Sequence, residues 1–300
     1  MMGTPSYRPR RSLCVVSAHP STPGQTQWID VRTEPHEDVL QHVEQVLGVR
    51  LDRSSVVYGS YGTTEGFRTD RDMWVRVARR QRWRINGPAW IGAEAASVLC
   101  GVAKPAWFQC ASWTDDQRGV VWRADEMELI ASPVIEEVSG FGVNTELPDS
   151  WWASLKASLA ALGEHETDRV GMRQAHLSMR INQVFDGQVD TTVDEWVTAH
   201  ADLHWGNLTV DCHLLDWEDW GVAPRGLDAT YLWGSSLAYP ALAARVQQEF
   251  EADLQTRSGK LAQLLQCANI IRIAAKRGTA TPLLEPAKEA ANLLLAELRS

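Results

Sequence analysis

At 300 residues, 44% hydrophobic and with a net charge of −9, the chain is too long for one small core and predicts two packed lobes. No apolar run reaches the roughly 18 residues of a membrane span, and the five cysteines form no CxxC pair; a soluble protein of the reducing cytoplasm is expected, without a disulfide framework or zinc finger. Residues 1–140 hold 16 Lys+Arg against 17 Asp+Glu, whereas 141–300 hold 13 against 21, a second-half acidity that disfavours nucleic acid and anionic membrane and suits a cationic small molecule wherever it lines a cleft.

In chain order, residues 1–35 read as an N-terminal extension, because the apolar patch LCVVSA behind the first arginines is too short for a secretory signal. HEDVLQHVEQVLG (36–48) spaces Val39, Leu40, Val43, Val46 and Leu47 helically and stops at glycine. Residues 54–80, rich in β-branched and aromatic residues with MWVRVA alternating, predict short antiparallel strands joined by tight turns. GAEAASVLCGV (92–102) predicts a helix, and KPAWFQCASW and GVVWRADEMELI predict two further strands around TDDQRG. The Pro- and Gly-bearing segment 131–149 separates this half from a helical remainder, with the boundary placed between 138 and 139.

From Trp151 onward, WWASLKASLAALG, MRQAHLSMRINQVF, ARVQQEFEADLQT, LAQLLQCANIIRIAAK and EPAKEAANLLLAELR carry helical apolar spacing. The stretch from DEWVTAHADLHWGNLTV through HLLDWEDWGVAPRGLDATYLWGS breaks that period with loop chemistry and two short apolar runs. Loops set into a regular scaffold are where sites are built.

HADLHWGN (200–207) admits two readings. His200 and His204 at i, i+4, with Asp202 or His213, have the spacing of a zinc set, but Trp205-Gly206 makes a poor helix and the glutamate of HExxH is missing. Alternatively, His200, Asp202, Leu203 and Asn207 stand at the offsets of the kinase catalytic loop, with Asp216 following in LLDWEDWG as a DFG-like acid. Phosphoryl transfer asks the protein chiefly to position the nucleophile and neutralise charge. A carboxylate base, an amide and a second carboxylate on magnesium answer that need.

HADLHWGN followed by LLDWEDWGVAPRGLDATYL resembles the aminoglycoside phosphotransferase and choline kinase-like group, whose pattern runs H-G-D-L-H-x-G-N and then I-D-W-E. The resemblance covers about residues 36–300 and departs at Ala201, where the group usually has glycine. It implies an α+β, two-lobe protein-kinase-like fold: an antiparallel-sheet lobe with a helix (36–138) and a mainly helical lobe (139–300) carrying the catalytic loop. It implies Asp202 as catalytic base, Asn207 and Asp216 as Mg²⁺ ligands, and Glu218 or Asp219 at metal or substrate. His200, His204 and Asp228 are implied as structural residues, Asp228 capping or bracing the helix that follows it.

On the nucleotide side, ATP or GTP is the expected phosphate donor. Gly59, Ser60, Gly62 and Thr63, in a turn between strands, are expected over the phosphates, and the residues around Met127 and Leu129 are expected to hydrogen-bond the purine. The family's strand lysine corresponds to Arg76, which binds phosphate with a different geometry, and Glu94 is its expected partner. Trp205 and Trp220 are expected to wall an acceptor pocket, with core packing as the plainer alternative.

The implied activity is transfer of the γ-phosphate to a hydroxyl of a small, cationic molecule, with an aminoglycoside-like antibiotic as acceptor. A sugar, choline or homoserine kinase and a catalytically weak pseudokinase-like scaffold are the alternatives, since a fold does not set its acceptor. The sequence carries no signal for oligomeric state.

Overall fold

The computed structural model describes residues 30–135, 147–279 and 281–299. Two units result: one runs to Ser97 and resumes over Pro105–Ala131, and the other comprises Val98–Lys104 and the chain from Ser132 on. The expected boundary between 138 and 139 lies outside the described residues, as does most of the expected N-terminal extension. Residues 98–104, expected with the first unit, group with the second.

In the first unit, α1 (Glu37–Leu47) buries Val39, Leu40, Val43 and Leu47 on one face and carries Glu37 and Asp38 in its first turn, where the helix dipole favours acids. It ends at Gly48, whose φ of 69° is left-handed and whose N–H caps the carbonyl of Glu44. Val46, counted among the apolar spacing, lies outside the buried stripe and is 51% exposed.

Strands β1 (Val57–Tyr58), β2 (Thr64–Arg68), β3 (Met73–Gln81), β4 (Trp107–Asp115) and β5 (Val120–Glu128) form one sheet in the order β1-β2-β3-β5-β4. Every pairing is antiparallel. Phe67, Val75, Val77, Trp122 and Ala124 form a core cluster with the buried face of α1. Alternation along β3 gives the sheet its other side, where Ala78 joins Trp90 and Val121.

The helix expected over 92–102 shrinks to a single turn, α2 (Gly92–Ala95), followed by a 3₁₀ turn over Ala96–Val98. Gly92, Ser97 and β-branched Val98 are poor helix formers, and Gly101 at φ 74° turns the chain away.

The second unit contains α3 (Asp149–Gly163), α4 (Gln174–Phe185), β6 (Trp196–Ala199), β7 (Gly221–Pro224), α5 (Leu227–Ser235), α6 (Pro240–Glu249), α7 (Glu251–Leu254), α8 (Arg257–Arg277) and α9 (Leu284–Arg299). Helix α8 is the hub: Leu261, Leu264, Leu265, Cys267 and Ala268 are buried on it, and α4, α5 and α9 pack around it. β6 and β7 pair antiparallel from Trp196 opposite Pro224 to Ala199 opposite Gly221. That ladder delivers both ends of the 200–220 segment to one place. Among the described residues, no helix is long and apolar enough to cross a membrane.

Candidate active site

The site grows from the end of the β6–β7 ladder in the second unit. The backbone N–H groups of His200 and Ala201 donate to Asp228 Oδ2 and Oδ1 at 2.8 and 2.9 Å. Asp228 lies in the first turn of α5, the helix it was expected to cap or brace. It braces the loop before Asp202, which refines its expected role. Burial drives its carboxyl pKa up, against His200 and the two N–H donors.

Just past these N–H groups the chain turns sharply. Ala201 has φ 65°, a left-handed conformation that glycine adopts without strain, so the alanine standing where the resembled motif usually has glycine sits in a strained backbone.

His200 is fully buried. Its Nε2–H donates to the carbonyl of Leu215 at 2.7 Å, its ring meets Trp217 edge to face at 4.7 Å, and its Nδ1 has no hydrogen-bond partner. The loop leading to Asp202 is thereby tied to the residue before Asp216. A second tie reinforces it, the N–H of Leu215 donating to the carbonyl of Asn207 at 2.9 Å. Asp216 itself has φ 61°, a further left-handed residue at the site.

His204 Nδ1 accepts the N–H of Gly206 at 3.1 Å and caps the short 3₁₀ turn Trp205–Asn207. That turn presents Asn207, whose Nδ2 donates to the carbonyl of Asp202 at 2.9 Å. The amide's nitrogen is thus committed to the loop, and its Oδ1 is the arm left for a cation. Asn207 Oδ1 and the exposed Asp216 carboxylate are hard oxygen donors, a set that fits Mg²⁺.

The Asp202 carboxyl has its pKa raised, first by partial burial and then by the neighbouring Asp216 and Asp219 carboxylates, while His204 and His200 oppose the shift. Three acids therefore share one locality. The zinc reading finds no completed ligand set here, since His200 and His204 each spend one ring nitrogen on the loop's own backbone. Among the described residues, no group of three or more His, Cys, Asp or Glu side chains is placed to hold a metal.

Two expected acceptor-site residues belong to the core. Trp205 is 2% exposed, donates from Nε1 to Ser236 Oγ at 3.0 Å and packs against Trp151 and Trp152. Trp220 is likewise 2% exposed, with the Arg169 guanidinium 4.6 Å over its ring. Neither ring is accessible for stacking on a substrate. Glu218 is half-buried and Asp219 exposed. The loop that carries them is strapped by Arg169, whose Nε and Nη2 donate to the carbonyls of Trp220 and Glu218 at 3.0 and 2.9 Å. No spacing in the sequence singled out Arg169.

In the first unit, the glycine turn is built differently from its expected use. The N–H of Gly59 donates to the carbonyl of Thr64 at 2.9 Å and that of Gly62 to the carbonyl of Gly59 at 3.0 Å. Both are spent inside the turn rather than held ready for phosphate. Gly62 has φ 62°, and a Cβ there would meet the Asp30 carboxylate at 2.2 Å, so close approach as well as conformation demands glycine. Ser60 is exposed and Thr63 half-buried, its carbonyl accepting the N–H of Arg79.

Arg76 sits half-buried on β3, opposite Gly66 and Asp125. Glu94 accepts Nη2 of Arg123 at 3.0 Å, a β5 partner that the sequence reading missed. Arg123 also holds Asp125 with two bonds of 2.7 and 2.6 Å. Met127 is the penultimate residue of β5, opposite Trp74 and Trp107, and Leu129 follows the strand just before the first unit ends at Ala131.

No family model and no curated protein matches the chain. Solved structures do. A thermostable mutant of aminoglycoside phosphotransferase APH(4)-Ia in its apo form superposes with a TM-score of 0.57 at 10% identity, covering 86% of this chain and 98% of that one. The GDP and kanamycin complex of APH(2")-IIia gives 0.53 at 12% identity, over 86% of this chain and 98% of that chain. Glucosamine kinase in complex with glucosamine, ADP and inorganic phosphate gives 0.52 at 14% identity, over 90% and 88%. The chain therefore has the two-lobe, protein-kinase-like α+β fold that these phosphotransferases and this kinase share.

Proposed function

We propose that the protein transfers the γ-phosphate of ATP or GTP to a hydroxyl of a small, amine-bearing molecule. The observation that carries this reading is the set of bonds holding Asp202, Asn207 and Asp216 together: Asp228 to the N–H groups of His200 and Ala201, His200 to Leu215, and Asn207 to both Asp202 and Leu215. Asp202 takes the proton of the acceptor hydroxyl as its oxygen bonds to the γ-phosphorus and the bond from phosphorus to the β–γ bridging oxygen breaks, releasing the nucleoside diphosphate. Asn207 and Asp216 would hold Mg²⁺, which when bound neutralises charge on the phosphate oxygens. In the first unit, Ser60, Thr63, Arg76, Met127 near the end of β5 and Leu129 just after it are assigned to the nucleotide.

An amine-bearing acceptor suits the acidic second half of the sequence and the three clustered acids. An aminoglycoside-like antibiotic, phosphorylated in the cytoplasm as a means of resistance, is the acceptor this reading favours; the neighbouring structures are of proteins named for aminoglycosides. The glucosamine kinase neighbour supports a metabolic aminosugar kinase as the second reading.

Thermal-shift titration with ATP or GTP, with and without Mg²⁺, tests the reading in the wild type and in Asp216→Ala. Mg²⁺-dependent stabilisation present in the wild type and lost in the variant is expected. Asp202→Asn should keep the stabilisation while transfer falls by at least about 10²-fold. Stabilisation by neither nucleotide in the wild type would overturn the proposal.

A further inference from the structure

We propose that Tyr231 is the aromatic residue that positions the acceptor, its hydroxyl donating to an oxygen of an amine-bearing sugar beside Asp202 and Asp219; this rests on the phosphotransferase reading above.

The placement follows from helix α5. Leu227, Asp228, Ala229, Thr230, Leu232, Trp233 and Gly234 are buried, whereas Tyr231 is only half-buried. Tyr231 stands one turn beyond Asp228, so the two share a face, and a helical side chain lies over the turn N-terminal to its own Cα. That turn is the one whose carboxylate holds the N–H groups of His200 and Ala201. The phenol thereby belongs to the helix face that braces the loop carrying Asp202, near enough for the Asp202 and Asp219 carboxylates to act on it.

Its surroundings favour a neutral donor. Burial first, and then the Asp202, Asp228 and Asp219 carboxylates, raise the Tyr231 pKa above the ordinary phenol range, so the hydroxyl keeps its proton at neutral pH. Carboxylates take the N–H and O–H protons of an aminosugar but give none back to its hydroxyl or ring oxygens. Tyr231 supplies that missing donor. With Trp205 and Trp220 committed to the core, it also supplies the aromatic surface for which those residues were expected.

The test compares wild type and Tyr231→Phe, which removes the hydroxyl and keeps the ring. Initial rates are measured with Mg²⁺-ATP or Mg²⁺-GTP against glucosamine and kanamycin as probes, alongside the thermal shift induced by Mg²⁺ and nucleotide. The variant should raise the acceptor KM about tenfold, the order of one lost hydrogen bond, with nucleotide KM and thermal shift unmoved. An unchanged acceptor KM, or a nucleotide shift that falls in parallel, would overturn the Tyr231 assignment and leave the phosphotransferase reading standing. Transfer to neither probe by the wild type would sink the aminosugar assignment for acceptor and Tyr231 together, and a retained Mg²⁺-nucleotide shift would show that the nucleotide site survives.

Discussion

Asp228 and His200 are joined across the site, the backbone N–H of His200 donating to Asp228 Oδ2 at 2.8 Å while Ala201 occupies the other carboxylate oxygen at 2.9 Å. One buried carboxylate so sets where the loop of Asp202 begins. Asp228→Ala would leave two buried N–H groups without an acceptor, each costing about 1–3 kcal/mol. Asp228→Asn retains one acceptor oxygen and should cost less. Chemical denaturation of both variants checks this order, and equal losses would show that the carboxylate's bonds do not hold the loop.

Ala201 is strained where glycine would not be, at φ 65°. An L-residue in this conformation costs about 1–2 kcal/mol, and the extra freedom of glycine in the unfolded chain returns about 0.4–1 kcal/mol of that. Ala201→Gly is therefore expected to stabilise the protein by about 0.5–1 kcal/mol. A lower melting temperature for the variant would mean that the Ala201 methyl, which is buried, contributes more by packing than the backbone strain costs.

The first unit carries a pH-sensitive pair. His36 Nε2 meets Glu65 Oε1 at 2.5 Å, both residues are buried, and the imidazole stacks on Trp122. The Glu65 hydrogen bond raises the His36 pKa, against the opposing effect of burial. A base whose pKa is raised on folding contributes its stability fully below the unfolded value of about 6.5 and loses it as pH rises through the folded value. The difference in melting temperature between wild type and Glu65→Gln should accordingly shrink from pH 6 towards alkaline pH. A difference independent of pH would show that the pair is not ionic.

Much of the fold was legible because periodicity records burial directly. The α1 stripe, the alternation along β3 and the long apolar spacing of α8 each follow from one face meeting a core, a local property of the chain. The 92–102 segment was not legible to the same degree: its apolar content suits a helix, but Gly92, Ser97 and Val98 leave a single turn.

By itself, the sequence determined the sheet-rich first half, the long helices of the second and the spacing that brings His200, Asp202, Asn207 and Asp216 into one stretch, whereas the β6–β7 ladder that frames that stretch and helix α5 behind it emerged only in the structure. Tertiary structure alone decided which side chains the loops turn inward. Trp205 meets Ser236, Trp151 and Trp152, Glu94 meets Arg123, and Arg169 straps the carbonyls of Glu218 and Trp220. The physical reason is that an irregular loop has no fixed period. The direction of its side chains is set by packing and hydrogen bonds to residues distant in sequence, and residue type and spacing do not encode those contacts.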